Sequence, residues 1–185
     1  LILKYGNIDI NEYNTKELLL QKIYDEKLEI DCDTPLENLG YGNLVDQLYK
    51  KVARPNVVNP IFLTEHPISL SPLARANDDN PEITDRFQLV INGAEIINAY
   101  SELVDPQEQE RRLEVQASLK DNGDEEAMPM DHEYISAMEV GMPPISGWGM
   151  GIDRVVQLLT NADNIKDVVM FPLMRPLNTE NKDSE

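Results

Sequence analysis

An Asn-Gly pair between two apolar runs is the sequence feature that most restricts how this chain can fold. Asn92-Gly93 separates residues 86–91 from residues 94–102, and such a pair between apolar runs is the strongest short-range signal of a β-hairpin. If the turn has two residues, Gln88 pairs with Ile97 across the strands. The chain is therefore predicted to contain two neighbouring antiparallel strands here.

Polar side chains occur at intervals along the second of these strands. Asn98, Tyr100 and Glu102 share one face because side chains alternate with a period of two, and Glu95 then lies on the opposite face. A carboxylate, an aromatic ring and an amide on one face suit an ammonium group. The alternative is the solvated face of an edge strand. A cleft that also used Glu95 would require a β-bulge between Glu95 and Asn98.

A glycine-rich segment lies further along the chain. Gly147, Gly149 and Gly151 alternate, so one face of an extended segment there carries no side chains. The apolar residues of 152–159 then recur at helical spacing, which places Arg154 in the first turn of a helix. An arginine beside the unpaired N–H groups of a helix start is well placed to hold an anion. The alternative is a strand-to-helix turn whose glycines serve packing.

Other periodic segments predict helices and two buried strands. Helical spacing of apolar residues is found in segments 18–23, 43–52, 105–120 and 131–138. Asn14 or Thr15 can cap the first of these helices, and Asp105-Pro106 starts the third with favoured cap and first residues. The short apolar runs 61–64 and 168–171 are typical of buried strands.

Composition restricts the function classes open to the chain. The formal net charge of the 185 residues is −18, which argues against a nucleic-acid binder and leaves RNA contacts to local sites or to another part of a longer protein. A single cysteine excludes an internal disulfide framework and a cysteine-based zinc site. No apolar run reaches the about 18 residues of a membrane span. We expect a cytoplasmic chain without membrane contact, and a piece of a longer protein.

Several segments, in order, resemble class II lysyl-tRNA synthetases. They are Phe62–Pro67, Ser71–Arg75, Asn80–Phe87, Glu95–Glu102, Gly147–Arg154 and the residues Val168–Pro172. The resemblance is continuous over residues 60–176, whereas residues 1–59 resemble more loosely an inserted helical subdomain. It implies an α+β fold with a mostly antiparallel sheet flanked by helices. It also implies three regions, residues 1–59, residues 60–176 and a disordered polar tail at 177–185.

The resemblance implies a lysine site on the second hairpin strand. Glu102 would pair with the ε-ammonium group of lysine, Tyr100 would wall the side chain and Asn98 would contact the substrate. Gly147 and Gly149 would line the same site. Aspartyl and asparaginyl relatives carry an arginine in place of this glutamate, so the resemblance is specific for lysine.

The resemblance also implies an ATP site. Arg154, the implied catalytic residue, would bind the γ-phosphate, and Gly151 would lie against the nucleotide. Glu95 would bind Mg²⁺ that bridges to the ATP phosphates, a role suited to a carboxylate. Gln88 stands where the family has a second metal-binding glutamate. An amide is a weaker ligand for Mg²⁺ than a carboxylate, so the resemblance implies Glu95 as the metal ligand and leaves the second ligand position, at Gln88, open.

The implied reaction joins lysine to tRNA(Lys). The lysine carboxylate would attack the α-phosphorus of ATP to give lysyl-adenylate and pyrophosphate, and lysine would then pass to the tRNA. No counterpart of motif 1, of motif 2 or of an anticodon-binding domain is recognised. We therefore expect about the second half of a catalytic domain, inactive alone, from a homodimeric enzyme. The alternatives are a non-catalytic module that binds lysine and ATP, and a paralogue that attaches lysine to a protein.

Overall fold

Helices and strands are both present in residues 1–173, the part of the chain that this computed structural model describes. The helices are α1 (Ile2–Gly6), α2 (Lys16–Asp25), α3 (Tyr41–Val52), α4 (Pro106–Asp121), α5 (His132–Glu139) and α6 (Ile152–Thr160). The strands are β1 (Ile61–Leu63), β2 (His66–Pro67), β3 (Ile83–Thr84), β4 (Arg86–Ile91), β5 (Ala94–Ser101) and β6 (Ser146–Met150). The predicted α+β class is confirmed.

The chain falls into two compact units. The first is Leu1–Gly149 and the second begins at Met150. The predicted division between residues 59 and 60 stays a prediction, and the predicted tail at 177–185 lies outside the described residues. Across residues 1–173 the structure contains no helix both long enough and apolar enough to cross a membrane.

The first three helices enclose the main apolar core. Thr15 caps α2, as one of the two predicted candidates, and its Oγ1 accepts a hydrogen bond from the Leu18 N–H at 3.4 Å. Helix α3 begins at Tyr41, two residues before the predicted start at residue 43. The buried residues of this core are Ile2, Ile8, Leu19, Ile23, Leu39, Leu44, Val45, Leu48, Tyr49 and Ala53. Burial of these side chains supplies the main favourable free energy of folding in this part of the chain.

The predicted hairpin is present in a four-stranded sheet. The strand order is β1-β4-β5-β6, and the β1–β4 and β4–β5 pairs are antiparallel. Asn92 and Gly93 have φ angles of 49° and 70°, as a two-residue turn of the type preferred in hairpins requires. Strands β2 and β3 form a separate antiparallel pair.

A β-bulge interrupts the hairpin in the predicted place. Val90 pairs with Glu95, whereas Leu89 pairs with Ile97. Ile96 is therefore an extra residue in β5, and it is buried. An extra residue reverses the alternation of side chains beyond it. The bulge that a cleft with Glu95 requires is confirmed.

The same bulge changes the partner of Gln88. The predicted pairing of Gln88 with Ile97 is wrong, because Gln88 pairs with Asn98. Counting outward from a two-residue turn assumes an uninterrupted ladder, and the extra residue shifts every later pair by one. Glu95 consequently lies on the same face of β5 as Asn98.

Both runs predicted as buried strands differ in the structure. Residues 61–64 contain strand β1, but Phe62 is 66% exposed. Strand β1 is at the edge of the sheet, and the Phe62 ring makes an edge-on contact with the Phe87 ring. Residues 168–171 form no strand, and Phe171 is 86% exposed. A strand needs a neighbouring strand that pairs with its backbone, and within residues 1–173 no strand pairs with residues 168–171.

Helix α4 supports the chain segment beside the end of β5. Asp105 caps this helix as predicted, accepting from the Gln107 N–H at 2.9 Å. The buried Arg112 donates from Nη1 to the Ala74 carbonyl at 2.8 Å, and Ala74 forms an antiparallel bridge with Glu102. The position of Glu102 thus depends on a contact from α4.

Stability is expected to depend on pH through Glu108. Hydrogen bonds from Arg111, and from Arg112, lower the pKa of the Glu108 carboxyl to about 2 from its ordinary 4.5. A lowered pKa adds stability above pH 4.5 that is lost as the pH falls toward 2. Because Glu108 is partly exposed, we expect about 1 kcal/mol. Glu108→Gln should be less stable by that amount at pH 7 in urea unfolding, and the difference should shrink below pH 4.5 and vanish as the pH falls through about 2. A difference that is constant over this range would contradict the prediction.

Candidate functional site

The polar face of β5 brings four of the predicted site residues together. Beyond the bulge, Asn98, Tyr100 and Glu102 share a face with Glu95, and all four side chains are partly buried. The buried residues Ile96 and Ala99 point the other way. The arrangement is therefore a polar wall set over an apolar core layer, rather than the fully solvated face of an edge strand.

Arg86 fixes one end of Asn98. The Nε of Arg86 donates to Asn98 Oδ1 at 2.9 Å, and its Nη1 donates to Ser71 Oγ at 2.9 Å. Since the amide oxygen is the acceptor in this contact, the NH₂ group of Asn98 is the end available as a donor. Burial lowers the pKa of Arg86, which remains a guanidinium cation.

The contribution of Arg86 was missed in the sequence. Arg86 lies opposite Tyr100 in the β4–β5 ladder, so the period of two places it on the polar face. That register was available only after the bulge was known, because the uninterrupted ladder puts Arg86 opposite Ala99. A single basic residue on a strand with no other charge was the signal that could have identified it.

Gly147 provides the space for the Glu102 carboxylate. A Cβ atom added to Gly147 would lie 2.7 Å from Glu102 Oε1, closer than such atoms approach. The Glu102 N–H donates to the Ile145 carbonyl at 2.9 Å, which joins the end of β5 to the segment leading into β6. Burial raises the pKa of Glu102 and also that of Tyr100. The carboxylate is thus placed where a neighbouring cation would stabilise its charge.

Glu95 is linked to a buried histidine through Gln88. Gln88 donates from Nε2 to Glu95 Oε2, and Gln88 Oε1 lies 3.3 Å from His66 Nε2. Burial, together with the charge of Arg86, lowers the pKa of His66 to about 4. The imidazole is therefore neutral at pH 7, and it was not singled out as a site residue in the sequence.

These residues fit a magnesium ion held by one protein carboxylate. Mg²⁺ in nucleotide sites is bound through one or two carboxylates together with substrate phosphates. Glu95 supplies one carboxylate, but the neighbouring Gln88 turns its NH₂ group, not its oxygen, toward it. Within residues 1–173 no group of three or more His, Cys, Asp or Glu side chains is arranged to hold a metal ion. The donor set thus suits a cation shared with a nucleotide.

A polar cavity of about 270 Å³ adjoins Glu95. Its lining includes residues of α3 and of the β4–β5 hairpin, namely Asn43, Asp46, Tyr49, Lys50, Arg54, Leu70, Arg86, Gln88, Val90, Glu95 and Glu126. Asp46 and Lys50 pair with each other at 2.7 Å. Charges of both signs therefore border the cavity.

The remaining predicted residues lie in the glycine-rich segment. Gly149 has open space where a Cβ atom would be. In the second unit Gly151 is the N-cap residue of α6, and Arg154 lies in the first turn as predicted. A Cβ atom on Gly151 would lie 3.3 Å from Arg154 Cδ. The absence of a side chain at Gly151 therefore gives room to the arginine.

Comparison with known proteins agrees with these features. The family model of class II tRNA synthetases (D, K and N) matches residues 8–175. This chain belongs to the class II tRNA synthetase family. The matched range includes the polar face of β5, the glycine-rich segment and α6.

Curated relatives in this class II family carry the name lysine–tRNA ligase. The protein of Helicobacter hepaticus is 44% identical over 175 residues, which are 95% of this chain and 33% of the relative. That of Cronobacter sakazakii is 50% identical over 138 residues, 75% of this chain and 27% of the relative. That of Helicobacter pylori strain 26695 is 44% identical over 181 residues, 97% of this chain and 35% of the relative. The chain spans about a third of the length of these relatives.

Proposed function

We propose that this chain is part of a lysine–tRNA ligase and that the polar face of β5 binds the lysine substrate. The observation that carries the proposal is the Glu102 carboxylate, partly buried and fitted into the space at Gly147. An ε-ammonium group beside Glu102 would form a charge-assisted hydrogen bond. It would also offset the cost of burying the carboxylate.

Two neighbours would orient the lysine. Tyr100 lies between Glu102 and Asn98 on the same face, and its ring would pack against the aliphatic part of the lysine side chain. Asn98, whose oxygen is held by Arg86, would donate from its NH₂ group to the substrate. The charge of Glu102 favours a cationic side chain and disfavours aspartate, because like charges repel.

The ATP-binding part of the proposal rests on α6 and on Glu95. Arg154 in the first turn of α6 would bind the γ-phosphate, where the positive end of the helix favours an anion. Gly151 would let the nucleotide approach the backbone. Glu95 would hold Mg²⁺, which would supply charge neutralisation at the phosphates when bound. The parent enzyme would pass lysine to tRNA(Lys), act as a homodimer and work in the cytoplasm.

The test uses the complete gene product that contains this chain. Lysine-dependent exchange between ATP and pyrophosphate is expected, with no exchange when aspartate replaces lysine. Transfer of radiolabelled lysine to tRNA is then measured beside transfer to protein. Aspartate-dependent exchange, lysine binding without any exchange, or transfer of lysine to protein alone would each overturn the proposal.

Gly147→Ala is expected to weaken lysine binding by about tenfold, because the added methyl group displaces the Glu102 carboxylate. The displaced atom is the end of a flexible side chain, so the free energy of unfolding should change by less than about 0.5 kcal/mol. Calorimetric titration with lysine measures the first effect, and urea unfolding measures the second. Gly149→Ala, which meets open space, is the control for stability. Unchanged lysine affinity in Gly147→Ala would show that Glu102 does not contact the substrate.

A further inference from the structure

The Gln88 amide is held at both ends. Its Nε2 donates to Glu95 Oε2 and its Oε1 lies 3.3 Å from His66 Nε2. Because an amide oxygen only accepts, the imidazole must carry its proton on Nε2 to make this hydrogen bond. The proton on His66 therefore fixes which end of the amide faces Glu95.

The backbone of His66 is pinned in place. His66 pairs with Thr84 in the β2–β3 ladder, and Thr84 Oγ1 donates to the His66 carbonyl at 3.2 Å. The His66 side chain is buried, with the residue 5% exposed. The His66 ring is therefore held in a fixed position beside the Gln88 amide.

Turning the amide over would be costly. The turned amide would place its oxygen near the Glu95 carboxylate and its NH₂ group against the His66 N–H. The second conflict disappears only if the imidazole proton moves to Nδ1. That atom is buried, and no partner for it is found in the described part of the chain. A proton there would be a buried donor without an acceptor, which is unfavourable.

We propose that His66 is a positioning residue that keeps Gln88 a hydrogen-bond donor to Glu95 and so prevents the Gln88 oxygen from becoming a ligand of a divalent cation. This inference rests on the proposed function, which places Mg²⁺ at Glu95. It means that the cation meets one protein carboxylate at this position. The neighbouring amide does not add a second ligand.

The test measures binding of Mn²⁺, a spectroscopic substitute for Mg²⁺ at oxygen ligands, by electron paramagnetic resonance in the complete gene product. His66→Phe keeps the ring but removes the donor, and it should bind Mn²⁺ about fivefold more tightly because the amide can then turn. His66→Gln restores an N–H group and should behave as the wild type. Gln88→Glu adds a carboxylate and should bind at least about tenfold more tightly.

A double-mutant cycle separates positioning from a general structural effect. In the Gln88→Glu background, His66→Phe should no longer increase Mn²⁺ affinity, since a carboxylate presents an oxygen in either orientation. An equal effect in both backgrounds would overturn the inference.

If His66→Phe does not fold, as judged by circular dichroism, the ¹⁵N signals of the His66 ring in the wild type show which ring nitrogen carries the proton and so test the inference. The Nε2–H form should persist with Mg²⁺ and ATP, and a switch to Nδ1–H would overturn the inference.

Lysine and ATP affinities measured on the same samples separate this inference from the proposed function. One outcome is that lysine and ATP both fail to bind while His66→Phe and Gln88→Glu still bind Mn²⁺ more tightly than the wild type. In that case the proposed function fails and the role of His66 stands. If both ligands bind and the variants bind Mn²⁺ as the wild type does, the role of His66 is refuted and the proposed function stands.

Discussion

Glu102→Gln is expected to weaken lysine binding by about 100-fold, the equivalent of about 2 to 3 kcal/mol for a hydrogen bond to a charged group. The substitution keeps the size of the side chain and its place beside Gly147, so the lost term is the charge that faces the ε-ammonium group. Calorimetric titration with lysine in the complete gene product measures the effect.

The stability of the same variant gives an independent check. Burial raises the pKa of Glu102, which means that the charged form is disfavoured in the folded protein without a cation. Glu102→Gln should therefore unfold at the same or a higher urea concentration than the wild type, even though it binds lysine weakly. Glu110→Gln on the exposed face of α4 is the matched control, with neither property changed. A loss of lysine binding accompanied by a loss of stability would instead indicate a structural role for Glu102.

The hairpin shows how far sequence patterns determine this site. Asn92-Gly93 and the alternation of side chains were enough to predict the turn, the antiparallel pair and the polar face. A cleft that contains both Glu95 and Asn98 requires a bulge between them, and the register of the β4–β5 ladder confirms that bulge. The bulge position did not follow from local preference, because the packing of Ile96 into the core decides which residue is extra.

The contacts that complete the site come from segments distant in the sequence. Gly147 and Glu102 are 45 positions apart by their residue numbers, and nothing in either segment indicates that one makes room for the other. In the sequence His66 stands before a proline with no partner nearby, because the residue that it contacts, Gln88, lies on another strand. Periodicity describes which face a residue occupies and does not describe which face of another element meets it.

Apolar runs gave the least reliable structural predictions. Residues 61–64 and 168–171 both have the composition of buried strands, yet Phe62 is largely exposed and Phe171 is not in a strand. Composition reports that a segment can be buried favourably. Whether it is buried depends on the strands that pair with it, and those belong to other parts of the fold.

Asp124 is a buried carboxylate that follows the end of α4. The residue is fully buried, and Oδ2 accepts from the Gly40 N–H at 2.7 Å. The Asn43 amide donates to both carboxylate oxygens at 2.9 and 3.0 Å, and the Glu126 N–H donates to Oδ1 at 3.1 Å. Gly40 is the N-cap of α3, so the carboxylate also lies at the favourable end of that helix.

Asp124→Ala is therefore expected to lower the free energy of unfolding by about 3 kcal/mol, because three donor groups, among them the buried Gly40 N–H, lose their acceptor at once. The urea midpoint should fall with an unchanged slope. Asp124→Asn should cost nearly as much, since its NH₂ group would face other donors. The exposed neighbour Glu125→Ala is the control, with a change below about 0.5 kcal/mol.

Substitution of Asp124 should also disturb the lining of the cavity beside Glu95. Asn43 and Glu126 both line that cavity, and both donate hydrogen bonds to Asp124. Folded Asp124→Asn, measured without urea, should therefore bind Mn²⁺ at Glu95 more weakly than the wild type. Full stability in Asp124→Ala would contradict the buried network. A destabilised Asp124→Asn with wild-type Mn²⁺ binding would show that the network supports α3 and leaves the cavity unaffected.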